Sequence, residues 1–218
     1  MNAIRHHLTD QLLMAYAAGG LPEAFNLIVA THVTMCDECR ARLESFEAVG
    51  GALIESDLCA EMSPGALGDT LSRLCETPSP ETYVTADDCA GDTLVPAPLT
   101  DYVGREFGQV KWRSLGGGVR QAVLDTGGAA TARLLHIPAG KKLPEHGHKG
   151  LEATLVLQGA FSDADGRFAR GDVEIAGMDL DHTPVAEHGE DCICLAVTDA
   201  PLKFSGWLPR IAQPFIGI

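Results

Sequence analysis

"GKKLPEHGHKGLEATLVLQG", residues 140 to 159, gathers two histidines and two glutamates just ahead of an apolar run. His146 and His148 stand two residues apart, so on an extended segment both side chains point to one face. Glu152 opens the run that follows. Two imidazoles and a carboxylate that converge inside a barrel form a metal-binding set. The surrounding chain supplies such a barrel: "VKWRSL", "VRQAVL", "ATARLLHI", "LEATLVL", "GDVEIA", "CICLAV" and "LKFSGW" are short runs with alternation or β-branched richness, parted by glycine and proline turns. This is the pattern of a β-sandwich or small barrel. Glu145 is expected to face solvent, and His136, in an apolar strand, to sit in the core or at its rim.

Ahead of residue 77 the period is helical. "TDQLLMAYAAGG" offers Thr9 as an N-cap and Gly19 as a stop. "PEAFNLIVATHVTMCDEC" starts on Pro22, which suits a first helical turn. "RARLESFEAVGGALIE" keeps helical spacing, and "SPGALGDTLSRLCE" begins with Ser63 and Pro64 and repeats Leu67, Leu71 and Leu74 on one face. About four short helices are expected. Residues 77 to 100, "TPSPETYVTADDCAGDTLVPAPLT", hold four prolines and little apolar periodicity, and read as a linker. The expected organisation is α+β in two domains: a helical bundle over 1–76, a linker over 77–100 and an antiparallel β domain over 101–218.

The formal charge of −14 and the lack of a basic run argue against direct nucleic-acid binding and suit a basic protein partner. "MNAIRHHLTD" lacks the apolar core of a signal peptide, and no apolar run approaches the roughly 20 residues of a membrane span. A cytoplasmic protein is expected, with no membrane partner. Its seven cysteines are then ligands, core residues or redox sensors rather than a disulfide framework.

"HVTMCDEC" places His32, Cys36 and Cys39 at spacings of four and three. On one α-helix they would share a sector of about 60°. Three such ligands leave one tetrahedral position of a zinc ion to fill. His7 and His6, just before the first helix, are the candidates, with His7 preferred. A bundle of this size also gains folding energy from a structural metal.

The motif, with its upstream histidine, resembles the zinc-dependent anti-sigma factors, small helical modules that hold an extracytoplasmic-function (ECF) sigma factor inactive. The resemblance implies zinc on His7, His32, Cys36 and Cys39. In the second half, Gly140, His146, His148, Glu152 and Gly159 follow the first cupin motif, G-x5-H-x-H-x3-E-x6-G. The second cupin motif places a histidine eleven residues after the glycine of a Gly-Asp pair, and Gly171-Asp172 leads to His182 at that offset. Ala169 replaces the usual proline and no asparagine follows, so His188 stands as runner-up to His182. Such a jelly-roll-like cupin would take zinc or another divalent transition metal on His146, His148, Glu152 and His182.

The combination resembles the ChrR-type anti-sigma factors across essentially the whole chain, in "RHH", "ATHVTMCDECRAR", "DYVG", "LGGGVRQA", "HGHKGLE", "LVLQGAF", "HTPVAE" and "DCICLA". The resemblance implies an inhibitor of an ECF sigma factor that releases it when singlet oxygen or related oxidants are sensed through the cupin. The competing class is a metal-dependent cupin enzyme of dioxygenase, isomerase or lyase type. No separate acid/base pair is evident in the sequence, which leaves catalysis secondary. Cys192 and Cys194 share one face of a strand and read first as a core pair, with redox sensing as the alternative.

Overall fold

The computed structural model describes residues 3–56, 60–76, 95–128, 130–177 and 181–204, without the side chains of 148 and 202–204. Most of the expected linker, Cys59, Cys89 and everything past 204 lie outside the described residues.

Four helices open the chain: α1 (Asp10–Ala17), α2 (Glu23–Met35), α3 (Asp37–Ser56) and α4 (Ala66–Glu76). Thr9 caps α1, its Oγ1 accepting the Leu12 N–H at 3.3 Å. Gly19, at φ 66°, turns the chain out of it. Pro22 sits one place earlier than expected, at the cap of α2 rather than in its first turn. A short helix, α5 (Thr100–Val103), leads into the sheets.

His32, Cys36 and Cys39 do not share one helix. α2 ends at Met35, and Cys36 takes extended backbone angles (φ −121°, ψ 106°) before α3 begins. The reason is local. Cys36 still donates its N–H to the His32 carbonyl, closing α2, while its sulfur receives the Cys39 N–H at 3.4 Å and its carbonyl the Arg40 N–H at 3.1 Å. Cys36 thus ends one helix and caps the next as a serine or aspartate would.

The second half is antiparallel throughout. One sheet has the order β1-β2-β3-β11-β5-β8, from Arg113–Gly116, Val119–Leu124, Thr131–Ile137, Cys192–Thr198, Glu152–Gln158 and Val173–Ala176. Two three-stranded sheets complete the jelly-roll-like barrel. One is β10-β6-β7 (Val185–Ala186, Ala160–Ser162, Arg167–Ala169) and the other β12-β4-β9 (Leu202–Phe204, His146–His148, Asp181–His182). Each expected run contains a strand, "LKFSGW" as far as the described residues go, and β4, β6, β7, β9 and β10, of two or three residues each, are too brief to show a period.

β11 is buried at every position, and β5 at all but its last. On β11, Ile193, Leu195 and Val197 join the core shared with α2, whereas Cys192 and Cys194 face the barrel core with Val156 and Phe161. α2 packs across β3, β5 and β11 and brings Phe25, Ile28 and Val29 to the same core. A strand covered on both faces reads as a continuous apolar run, which is what "CICLAV" is.

The segment before α1 is tied to the barrel. Asp172 Oδ1 accepts the N–H groups of Arg5 (2.6 Å) and His6 (2.9 Å), and Oδ2 that of Ala169 (2.8 Å). The His6 carbonyl accepts the Val173 N–H at 3.1 Å, so this arm covers the edge strand β8. Ile4 lies over Gly171, at φ 93°, where an added Cβ would meet the Ile4 side chain at 2.6 Å. Burial alone would raise the Asp172 pKa, but hydrogen bonds from Ala169, Arg5 and His6 outweigh it and hold the carboxyl below its usual range. Its stabilisation is therefore present above the unfolded value, about 3.9, and is lost as pH falls through the lower folded value. Asp172→Ala strands three N–H groups and is expected to cost about 2–3 kcal/mol. The urea midpoint reads that loss, and faster amide exchange at Arg5 and His6 locates it.

Candidate metal centres

The break at Cys36 builds the first site. His7, His32, Cys36 and Cys39 each offer a ligand atom, and these atoms lie within 4.8 Å of one another. His7 Nδ1 stands 3.3 Å from Cys36 Sγ and 3.7 Å from Cys39 Sγ. On a tetrahedral zinc, with bonds of about 2.1 and 2.3 Å, nitrogen and sulfur are about 3.6 Å apart. His7 Nε2 meets Glu38 Oε2 at 3.3 Å, which turns Nδ1 inward in the manner of a carboxylate-held metal histidine. His6 is turned away, its ring 4.4 Å from that of Phe168 and its Nδ1 3.6 Å from Asp172.

The donor chemistry fits a metal. His32 is fully buried, and among the described residues neither ring nitrogen meets hydrogen-bond geometry with a partner. Burial first, then the neighbouring His7, lowers its pKa to about 4, so its imidazole is neutral and free to ligate. Burial, with Cys36 beside it, raises the Cys39 thiol to about 11. A bound cation reverses that shift by deprotonating the thiol. Arg42 spans from Asp10 on α1 to Cys39 Sγ at 3.9 Å and fixes the two helices around the site.

The second site lies inside the barrel. β4 and β9 place His146 directly opposite His182, with their Nε2 atoms 3.1 Å apart. His146 Nδ1 is 3.0 Å from the Pro144 carbonyl, and His182 Nδ1 is 3.0 Å from both Asp163 and Glu174. Each Nδ1 therefore donates outward and each Nε2 is aimed into the barrel. Two nitrogens on one ion at about 2.1 Å stand about 3.0–3.4 Å apart, so the pair fits a shared metal. Burial lowers the His182 pKa, but Glu174, Asp163 and Glu152 together raise it to about 9. Burial raises Glu174 to about 7.

Glu152 lines the same cavity, buried, with Oε1 accepting from Thr154 at 3.0 Å. His148 is on β4 as expected, and its side chain lies outside the described residues. His188 is exposed and lines a different cleft, beside Cys36 and Glu38. His136 is a rim residue, paired with Asp191 at 3.1 Å. Cys192 and Cys194 are buried with their sulfurs 3.4 Å apart, and Cys194 borders the cavity. The hydrogen bond with Cys192, then burial, pushes the Cys194 thiol well up.

The sequence reading missed Asp163 and Glu174, the carboxylates that orient His182, and Asp172 as the anchor of the arm. Glu174 carried a signal: it is an acid inside the apolar run "VEIA" of a buried strand.

A helical His/Cys cluster docked on a jelly-roll barrel with inward histidines defines a protein of cupin type with two candidate metal centres. The family model described as the ChrR cupin-like domain matches residues 101–201. The anti-sigma-E factor ChrR of Cereibacter sphaeroides is 56% identical over 218 residues, 99% of each chain. The crystal structure of Rhodobacter sphaeroides SigE in complex with the anti-sigma ChrR matches with a TM-score of 0.79 and 56% identity, covering 90% of this chain and 99% of that one. The chain belongs to the ChrR family.

His7→Ala is expected to lower bound zinc by about one equivalent per chain, while His6→Ala keeps it; metal analysis after gel filtration distinguishes the two. Glu174→Ala leaves His182 Nδ1 with Asp163 alone and is expected to weaken metal binding in the barrel by about 10–100-fold, read by competition with a chromophoric chelator.

Proposed function

We propose that this chain is an anti-sigma factor that binds and inhibits an ECF sigma factor and releases it when its metal-bearing cupin senses singlet oxygen or a related oxidant. In this reading residues 1–76 hold zinc on His7, His32, Cys36 and Cys39 and carry the sigma-binding surface. Residues 77–100 link them to the cupin, 101–218, whose metal sits on His146, His148, Glu152 and His182. The protein acts in the cytoplasm, where its partner works. The observation that carries the proposal is the 56% identity, over 99% of both chains, to an anti-sigma-E factor. A relative at the same identity has been solved with its sigma factor bound. That kinship favours a regulator over an enzyme.

The surface of the helical half supports the reading. Leu67, Leu71 and Leu74 on α4 are 70%, 52% and 66% exposed, and Val49, Leu53 and Ile54 on α3 are also exposed. Their spacing places each set on one helix face. Full burial of a leucine contributes about 1.5–3 kcal/mol, so a partner covering these two faces would gain a substantial apolar interface. Among the described residues no helix is long and apolar enough to cross a membrane, so these leucines are not a membrane span. The net charge of −14 complements a basic partner.

Co-expression with the ECF sigma factor of the same cell is expected to give a one-to-one, zinc-containing complex that does not support transcription. Leu71→Asp is expected to weaken that complex at least tenfold with an unchanged circular dichroism spectrum, because the side chain is already exposed. His146→Ala is expected to preserve inhibition and blunt release by singlet oxygen, measured by transcription before and after illumination with a photosensitiser. A chain that folds and holds zinc yet forms no complex overturns the proposal.

A further inference from the structure

His7 stands between a residue held by the barrel and a residue buried beside α1. Leu8, which follows it, is buried in the core with Leu12 and Leu13, and Thr9 then caps α1. His6, which precedes it, belongs to the barrel. It donates its N–H to Asp172 Oδ1 at 2.9 Å, its carbonyl accepts the Val173 N–H at 3.1 Å, and its ring lies 4.4 Å from that of Phe168. Arg5 donates to the same carboxylate oxygen at 2.6 Å, and Ile4 lies over Gly171. Three successive residues of the arm therefore rest on the start of β8, and the fourth joins the helical cluster.

The peptide link makes this connection stiff. The His6 carbonyl and the His7 nitrogen and Cα lie in one plane. The Val173 N–H that holds the carbonyl therefore also fixes the root of the His7 side chain. From that root Nδ1 reaches to 3.3 Å from Cys36 Sγ and 3.7 Å from Cys39 Sγ, while Nε2 meets Glu38. Metal–ligand bonds tolerate errors of only about 0.2 Å. A shift of the start of β8 against the helices is thus carried to a ligand atom. The converse also holds. When the cluster closes on an ion, His7 is pinned, and Arg5 and His6 have less freedom to leave Asp172. Two events that order the same segment favour one another, each by the same factor.

We propose that metal binding at the helical cluster and seating of the arm on the barrel are one linked equilibrium, in which Asp172 is a positioning residue for His7 from the opposite half of the chain. The linkage rests on the zinc reading of the helical cluster and uses no metal in the barrel. It gives the protein a regulatory contact. Loosening the arm at Asp172 weakens zinc in the helical half, and loss of zinc loosens the arm and uncovers the edge of β8.

The test is hydrogen exchange on the full chain, metal-free and zinc-loaded, read at the amides of Arg5, His6 and Val173. Val173 is the informative one, because its N–H lies on a barrel strand and its acceptor on the arm. Zinc is expected to slow these amides by about tenfold, the size of an ordinary coupling between sites. His7→Ala, which leaves the barrel residues in place, is expected to abolish the slowing. The reciprocal measurement is zinc affinity by competition with a chromophoric chelator, with the thiolate absorption band of added cobalt identifying the helical cluster. Asp172→Ala is expected to weaken zinc there by about tenfold. Val119→Ala, in the barrel core on β2 and separated from β8 by three strands, is expected to leave zinc affinity unchanged. Should Asp172→Ala fail to fold, the exchange data on the unaltered chain decide. Zinc held at the cluster with no slowing at Val173 overturns the linkage and leaves the zinc reading intact, whereas no zinc at the cluster overturns both. Slowing that persists in His7→Ala, unchanged zinc affinity in folded Asp172→Ala, or an equal loss in Val119→Ala also overturns the linkage.

Discussion

The Asp172 carboxylate joins the two halves of this protein. Three backbone N–H groups converge on it, two of them from Arg5 and His6, more than 160 residues earlier in the chain. It is buried and has no solvent alternative for these contacts. The arm it holds ends at His7, whose Nδ1 completes the His/Cys cluster. His7 is thus fixed from two sides: by the thiols at the end of α2 and by an acid at the edge of the barrel. Neither the histidine's position nor the edge of β8 is explained by the helical half alone.

The same stretch of β8 reaches the second site. Glu174, two residues after Asp172, holds His182 Nδ1. A change in the charge or position of His182 is therefore felt by a residue within one dipeptide of the arm's anchor. Any coupling between the barrel site and the helical half has this short covalent route, with a second through α2, which lies on β3, β5 and β11. Both routes pass through packed, buried elements that shift as units.

What the sequence made legible follows from locality. The His-x3-Cys-x2-Cys and His-x-His-x3-Glu spacings are confined to single segments; the structure gathers His32, Cys36 and Cys39 with His7, and sets His146 and Glu152 along one cavity. The choice of His7 over His6 was harder to read, because the reason for it lies with Asp172 and Phe168, far along the chain. The helix break at Cys36 was hidden for another reason. Continuous helical angles across His32, Cys36 and Cys39 satisfy the same spacing, and only the capping of α3 by the Cys36 sulfur shows that the chain bends there. Asp163 escaped notice because "DADG" reads as an ordinary turn, and its role appears only when β9 carries His182 over it.

The two clusters differ in what a metal must displace. In the helical cluster burial leaves the groups neutral, with His32 pushed down to about 4 and the Cys39 thiol pushed up to about 11. Metal entry there expels thiol protons, and in return it gives one buried ring nitrogen of His32 a ligand bond. The barrel cluster is ionic in character: Glu174 and Asp163 favour the protonated form of His182, whose Nε2 lies 3.1 Å from that of His146. A cation entering there would compete with that proton, whereas one entering the helical cluster, from the cleft that His7 and Cys36 border, would compete with thiol protons.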